Sequence, residues 1–183
     1  MGQTKQLLPI GGQAMVRRVT ESVCAAGLDQ VVVVLGAHAE AVKQALGGLV
    51  VESVINEGWT EGLSTSLRAG IGALRPEIQA AIIVLADQPT LKPDLLQALV
   101  ARYRDTGALI VAPYYQGQRG NPVLFDRALF HELLAVEGDR GGRSLLARYR
   151  ERQQRVETDD PAVLMDVDTP QDYRDLQETG SRS

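Results

Sequence analysis

The feature that most constrains this chain is the alternation of short apolar runs with amphipathic segments. Val31 to Leu35 is a five-residue run ending at Gly36, and Ala80 to Leu85 is a second unbroken apolar run. Runs this short and this rich in β-branched residues read as strands buried on both faces. Val50 to Ile55 reads as another strand. Between these runs the periodicity changes. Met15, Val16, Val19, Val23 and Ala26 share one helical face; Ala39 to Leu46 is closed by Gly47-Gly48; Ser64 to Leu74 is stopped by Arg75-Pro76. Pro93 opens a helix whose Leu95, Leu96, Leu99, Val100 and Tyr103 lie on one side.

The second half continues the pattern. Leu109 to Tyr115 and Asn121 to Phe125 are predicted strands around a Gly-rich turn, Gln116 to Gly120. Asp126 is a predicted N-cap for Arg127 to Leu134, and Ser144 to Arg152 is a predicted helix. Val163 to Val167 reads as a last short strand and Pro170 to Glu178 as a last helix. Strands alternating with helices predict βαβ units and a mostly parallel sheet packed between helices. No internal repeat or low-complexity linker divides the chain. One domain over 1–178 with a frayed polar tail, 179–183, is expected.

Composition narrows the function classes. With 44% hydrophobic and 23% charged residues in 183, wholesale disorder is excluded. The net charge of −4 and the 4% aromatic content argue against a nucleic-acid partner or an anionic membrane surface. One cysteine, Cys24, rules out an intrachain disulfide, and with two histidines it makes a zinc site of the usual ligand types a poor expectation. No apolar run approaches the ~20 residues that span a bilayer. The first twelve residues, MGQTKQLLPIGG, lack the apolar core of a secretory signal. A cytoplasmic location is the expectation.

In parallel α/β sheets, ligands bind beyond the carboxyl ends of the strands. After Ala80 to Leu85 come Ala86-Asp87-Gln88-Pro89. The Asp87 carboxylate is a hard oxygen ligand suited to Mg²⁺ beside substrate phosphates. It is equally a residue type that caps turns. After Val50 to Ile55 come Asn56, a Gly-containing loop and the hydroxyl cluster Ser64-Thr65-Ser66. Free amides at a helix start make an anion niche, and the same residues serve as ordinary N-caps. Arg119, at the tip of the Gly-rich turn, is placed either to meet an anionic substrate or simply to face solvent. Thr169, Pro170 and Asp172 make a capping-box-like helix start. Asp166 and Asp168, expected on one strand face, are not needed for that cap, and either is a candidate second metal ligand beside Asp87.

Six segments, in order, resemble the MobA-like nucleotidyltransferases, and most closely the molybdenum cofactor cytidylyltransferases. They are Met1-Gly2-x-x-Lys5-Gln6-Leu7-Leu8, Asn56 through Gly62-Leu63-Ser64-Thr65-Ser66-Leu67, Ala86-Asp87-Gln88-Pro89, Arg119-Gly120-Asn121-Pro122-Val123-Leu124-Phe125, Gly138-Asp139-x-Gly141-Gly142-Arg143, and Asp166-x-Asp168-Thr169-Pro170-x-Asp172. The resemblance implies a Rossmann-like three-layer α/β/α fold and Mg²⁺-dependent transfer of CMP from CTP to molybdopterin, releasing pyrophosphate. It implies Lys5 on the triphosphate, Asp87 as principal metal ligand and Asp168 as the second. Asn56, Gly62 and Ser66 would line the nucleotide side, and Arg119 and Asn121 the acceptor side. A molybdoenzyme client or its maturation chaperone is the implied protein partner.

Two departures stand out. Asn121 replaces the histidine of the usual Arg-Gly-His-Pro. The family also opens with a strand and the loop Leu-Ala-Ala-Gly-x-Ser-x-Arg directly before Met-Gly, where this sequence begins. The expected fold therefore lacks its first strand. Two rival readings follow: a relative using GTP or a sugar or polyol phosphate, and a catalytically defective cofactor-binding module. An NAD-linked dehydrogenase is disfavoured, because no G-x-G-x-x-G follows a strand.

Overall fold

The computed structural model describes residues 4–138 and 142–180, with side chains through 177. After a 3₁₀ turn at Lys5–Leu7 come the two-residue strands β1 (Pro9–Ile10) and β2 (Gln13–Ala14), which form a small antiparallel ribbon. The main elements follow: α1 (Met15–Ala25), β3 (Val32–Leu35), α2 (Ala39–Ala45), β4 (Glu52–Ile55), α3 (Leu63–Gly72), β5 (Ala80–Ile83) and α4 (Pro93–Thr106). Then come β6 (Ile110–Tyr115), β7 (Gln118–Arg119), β8 (Val123–Asp126), α5 (Phe130–Leu134), α6 (Arg143–Arg148), β9 (Gln153–Glu157) and α7 (Pro170–Gly180).

Helices cover both faces of the strands, giving three layers. The period of two along each strand decides which side chain faces which helix. In β6, Ile110 and Ala112 pack with Leu67 and Ile71 of α3, Leu133 of α5 and Leu145 of α6. Val111, between them, packs with Leu99 of α4. In β8, Val123 and Phe125 join the first group and Leu124 the second. Leu96 and Leu99, fully buried on α4, anchor the second face. Truncating either to alanine is worth about 2–5 kcal/mol, since a rigid core closes incompletely over the hole.

Strand directions are mostly parallel. β3 pairs with β4 in parallel, and β6 with β9 in parallel. β8 runs antiparallel between β5 and β6, so β5, β6 and β9 share one direction. β3 and β5 do not pair with each other; each is hydrogen-bonded on one edge. Between them lies a cavity of about 1360 Å³, lined by Val32 to Val34, Ile82 to Leu85, Val19 and Val23 of α1, and Leu67 and Ile71 of α3. β3 and β5 are accordingly half-buried rather than buried, apart from Leu35.

The end of the chain departs from the sequence expectation. Val163 to Val167 is not a strand. Asp160 accepts the amide of Ala162 at 3.0 Å and starts a 3₁₀ turn at Pro161–Leu164, after which the chain is irregular. The apolar spacing is real, with Val163 and Val167 both buried, but Pro161 and the Asp160 cap turn the backbone. The strand that completes the sheet is β9, beyond a helix that ends at Arg148.

Candidate active site

Lys5 stands in the opening 3₁₀ turn, far from any carboxylate in sequence. In the fold its ammonium donates to Asp87 Oδ2 at 2.9 Å and to Asp168 Oδ1 at 2.7 Å. Burial lowers the pKa of the ammonium, and its hydrogen bonds to Asp168 and Asp87 outweigh that and leave it raised. The charged form is thus held between two carboxylates.

Asp87 owes its position to the turn after β5. Val167 donates its amide to the Asp87 carbonyl at 3.0 Å, tying the Asp166-Val167-Asp168 segment across this turn. The second carboxylate oxygen of Asp87, Oδ1, is buried and has no hydrogen-bond partner. A buried unsatisfied carboxylate oxygen is costly in an otherwise paired protein, and it is a fitting donor for a cation. Among the described residues, no three His, Cys, Asp or Glu side chains converge into a ready-made ligand set. Two carboxylates completed by phosphates and water match the way Mg²⁺ is commonly held beside nucleotides.

Asp166 and Asp168 do not share a strand face, because their segment is not a strand. Asp168 turns to Lys5, while Asp166 accepts from the Gln88 side-chain amide at 2.8 Å. Burial, then the neighbouring charge of Asp87, pushes the Asp166 carboxyl upward. The start of α7 is the expected cap: the Asp172 amide donates to Thr169 Oγ1 at 3.2 Å, and the Asp172 carboxylate accepts the amides of Thr169 and Asp168 at 2.7 and 3.0 Å.

Asn56 and Ser66 come together at the other rim. Asn56 is buried, and its Nδ2 donates to Thr65 Oγ1 at 2.8 Å and Ser66 Oγ at 3.0 Å. Its Oδ1 accepts the Gly58 amide at 3.1 Å. These bonds fix the loop that leads into α3. Gly62, at the head of α3, has φ 112° and ψ 174°, a backbone conformation essentially confined to glycine. No side chain caps this helix, so the hydroxyl cluster is not its N-cap. Ser66 lines the large cavity together with Gln6 and Asp87, which links this loop to the carboxylate side.

Arg119 and Asn121 lie elsewhere. Arg119 is exposed in the β6–β7 hairpin. Gly120 follows because the chain passes tightly against its neighbour: a Cβ there would meet the Val163 oxygen at 2.4 Å. The Asn121 amide donates to that same oxygen at 2.9 Å. Asn121 and Gln88 share the lining of a second cavity of about 570 Å³. Arg119 and Asn121 are thus not drawn into the Lys5 cluster. Of the Gly138 to Arg143 motif, positions 139–141 lie outside the described residues. The residue that the sequence reading passed over is Gln88, 2% exposed between Asp87 and Pro89. An uncharged polar residue between the candidate ligand Asp87 and the turn-stiffening Pro89 was the available signal.

The chain is similar to known proteins over most of its length. Residues 1–170 match the family model described as MobA-like NTP transferase domain. Nicotine blue oxidoreductase of Paenarthrobacter nicotinovorans is 30% identical over 172 residues, covering 90% of this chain and 83% of its own. The crystal structure of Rv0371c from Mycobacterium tuberculosis H37Rv superposes with a TM-score of 0.84 at 32% identity, over 97% of this chain and 90% of that one. A second structure of Rv0371c is a complex with manganese; it gives a TM-score of 0.82 at 31% identity, over 96% and 91%.

Proposed function

We propose, for a chain that belongs to the MobA-like NTP transferase family, that it is a molybdenum cofactor cytidylyltransferase. It transfers CMP from CTP to the terminal phosphate of molybdopterin and releases pyrophosphate. The observation that carries this reading is the meeting of Lys5 with Asp87 and Asp168 beside the unpaired Asp87 oxygen.

The acceptor phosphate oxygen attacks the α-phosphorus of CTP; the new P–O bond forms as the α–β bridge breaks, and the electron pair leaves with pyrophosphate. Such a transfer needs positioning and charge neutralisation more than a protein nucleophile. Lys5 supplies a fixed positive charge for the triphosphate. Asp87 and Asp168 would hold a divalent cation such as Mg²⁺, which would polarise phosphate oxygens and offset the charge of the leaving group. The manganese complex of the Rv0371c relative supports a divalent ion in this fold. The α3 head with Gly62, and Ser66 braced by Asn56, serve the nucleotide. Arg119 on the hairpin and Asn121 in the connection that follows it serve the acceptor.

The segments that match the cytidylyl branch favour CTP over GTP and favour a pterin acceptor over a sugar or polyol phosphate. A molybdoenzyme or its maturation chaperone would receive the product. None of the helices in the described residues is long and apolar enough to cross a membrane. That fits the proposed cytoplasmic location. The test is pyrophosphate release from each of CTP, GTP, ATP and UTP, with molybdopterin and with Mg²⁺ or Mn²⁺. Release with CTP and molybdopterin together is expected. Preference for another nucleotide or acceptor selects the related transferase, and molybdopterin binding without turnover selects the binding module.

A further inference from the structure

We propose that Gln88 is a positioning residue: its side-chain amide holds Asp166, and through it the Asp166-Val167-Asp168 segment, where Asp168 and Asp87 contact one cation together. This role rests on the reading of Asp87 and Asp168 as cation ligands.

Asp87 comes from the middle of the chain and Asp168 from near its end, and neither sits on a helix or strand. Asp87 follows β5. Residues 165–168 belong to no helix or strand, so no ladder of hydrogen bonds sets their place. The Asp168 side chain is 71% exposed and is not fixed by packing. Its carboxylate meets Lys5 at 2.7 Å, and its backbone is placed by three further tethers. One joins the Val167 amide to the Asp87 carbonyl at 3.0 Å. Another joins the Asp168 amide to Asp172 at 3.0 Å. The third is the bond of 2.8 Å from Gln88 Nε2 to Asp166 Oδ1.

The third tether is the one made by a side chain from the Asp87 turn itself. A glutamine is rarely buried to 2% exposure unless its amide does something a hydrocarbon of the same size does not. Gln88 N and O are also engaged with Leu85 and Leu91, so its backbone is fixed at both ends of the turn. A buried donor on one side and a segment without secondary structure on the other is the arrangement expected of a spacer between two ligands.

Mn²⁺ binding to the full chain, followed by the loss of the free-ion EPR signal, separates this role from simple packing. Gln88→Leu keeps the bulk and removes the donor; it is expected to weaken Mn²⁺ binding tenfold or more. Asp166→Ala removes the acceptor and is expected to do the same. Asp166→Asn keeps an oxygen that accepts from Gln88 and is expected to bind within threefold of wild type. Thermal melting without metal reports folding of each variant, and if Gln88→Leu does not fold, the Asp166 pair carries the test. Equal binding by Asp166→Ala and Asp166→Asn, or wild-type binding by a folded Gln88→Leu, overturns the role. Wild-type protein that binds no Mn²⁺ overturns the cation reading and this role with it. Wild-type binding that the variants leave unchanged overturns only the role of Gln88.

Discussion

Lys5 and Asp168 are 163 residues apart in sequence, and their side chains meet at 2.7 Å. The contact closes the chain on itself: the opening turn and the segment before α7 converge on the carboxyl end of β5. It also gathers three charges of mixed sign at one point. An ion pair this exposed on one side adds little stability by itself. Its interest lies in placing a cation beside two carboxylates at the strand edge.

The sharpest test of the site is Asp87→Asn. If Asp87 only stabilises its turn, asparagine replaces it with little loss, because both residues serve there. As a cation ligand it is not replaceable, since the neutral amide is a poorer donor to Mg²⁺. Pyrophosphate release is expected to fall by on the order of a hundredfold or more, with little change in melting temperature without metal. Wild-type turnover at limiting Mg²⁺ would remove the metal role.

Arg119→Ala is expected to weaken molybdopterin binding by ~1.5–3 kcal/mol through loss of a charge-assisted contact. CTP affinity should stay near wild type, because the hairpin is separate from the Lys5 cluster. Calorimetric titration of each substrate in turn gives the comparison. A selective loss of CTP binding would reverse the assignment.

Tyr103 predicts an alkaline loss of stability. Its hydroxyl reaches Asp126 Oδ2 at 2.5 Å, and burial followed by this hydrogen bond pushes its pKa up to about 12. An unfolded tyrosine titrates near 10. Below that value both states keep the proton and the stabilisation is whole. As pH rises from about 10 through about 12, the unfolded chain ionises first and the contribution is lost. Melting curves across that window should fall for wild type and flatten for Tyr103→Phe.

The cavity between β3 and β5 makes a prediction about stability. Two strand edges face it, each with backbone groups unpaired on that side. Fusing the family's opening segment ahead of Met1 should lay a strand between them, pair both edges and bury the apolar lining. Even ~1–3 kcal/mol per newly satisfied group would raise the melting temperature by several degrees. The same segment with a central proline, which lacks the donor, should not. Equal melting temperatures for both fusions and for the 183-residue chain would exclude strand pairing at this cavity.

Much of the fold is written locally. The apolar runs at Val32–Leu35 and Ala80–Ile83 became strands, and the helical faces at Met15–Ala25 and Pro93–Thr106 became helices, because periodicity decides which face a segment can bury. The caps at Asp126 and Thr169 were equally legible, since a cap is a contact between near neighbours. β9 was not legible. Gln153–Glu157 is polar and mostly exposed, and it is a strand because its backbone finds the edge of β6. Main-chain pairing at a sheet edge leaves little trace in side-chain pattern. The site divides in the same way. The sequence by itself determined that Asp87 follows an apolar strand. The tertiary structure decided that Lys5 and Asp168 join it, that Asn56 braces Ser66, and that Gln88 reaches Asp166, because those contacts depend on how distant segments are laid across the sheet rather than on any local spacing.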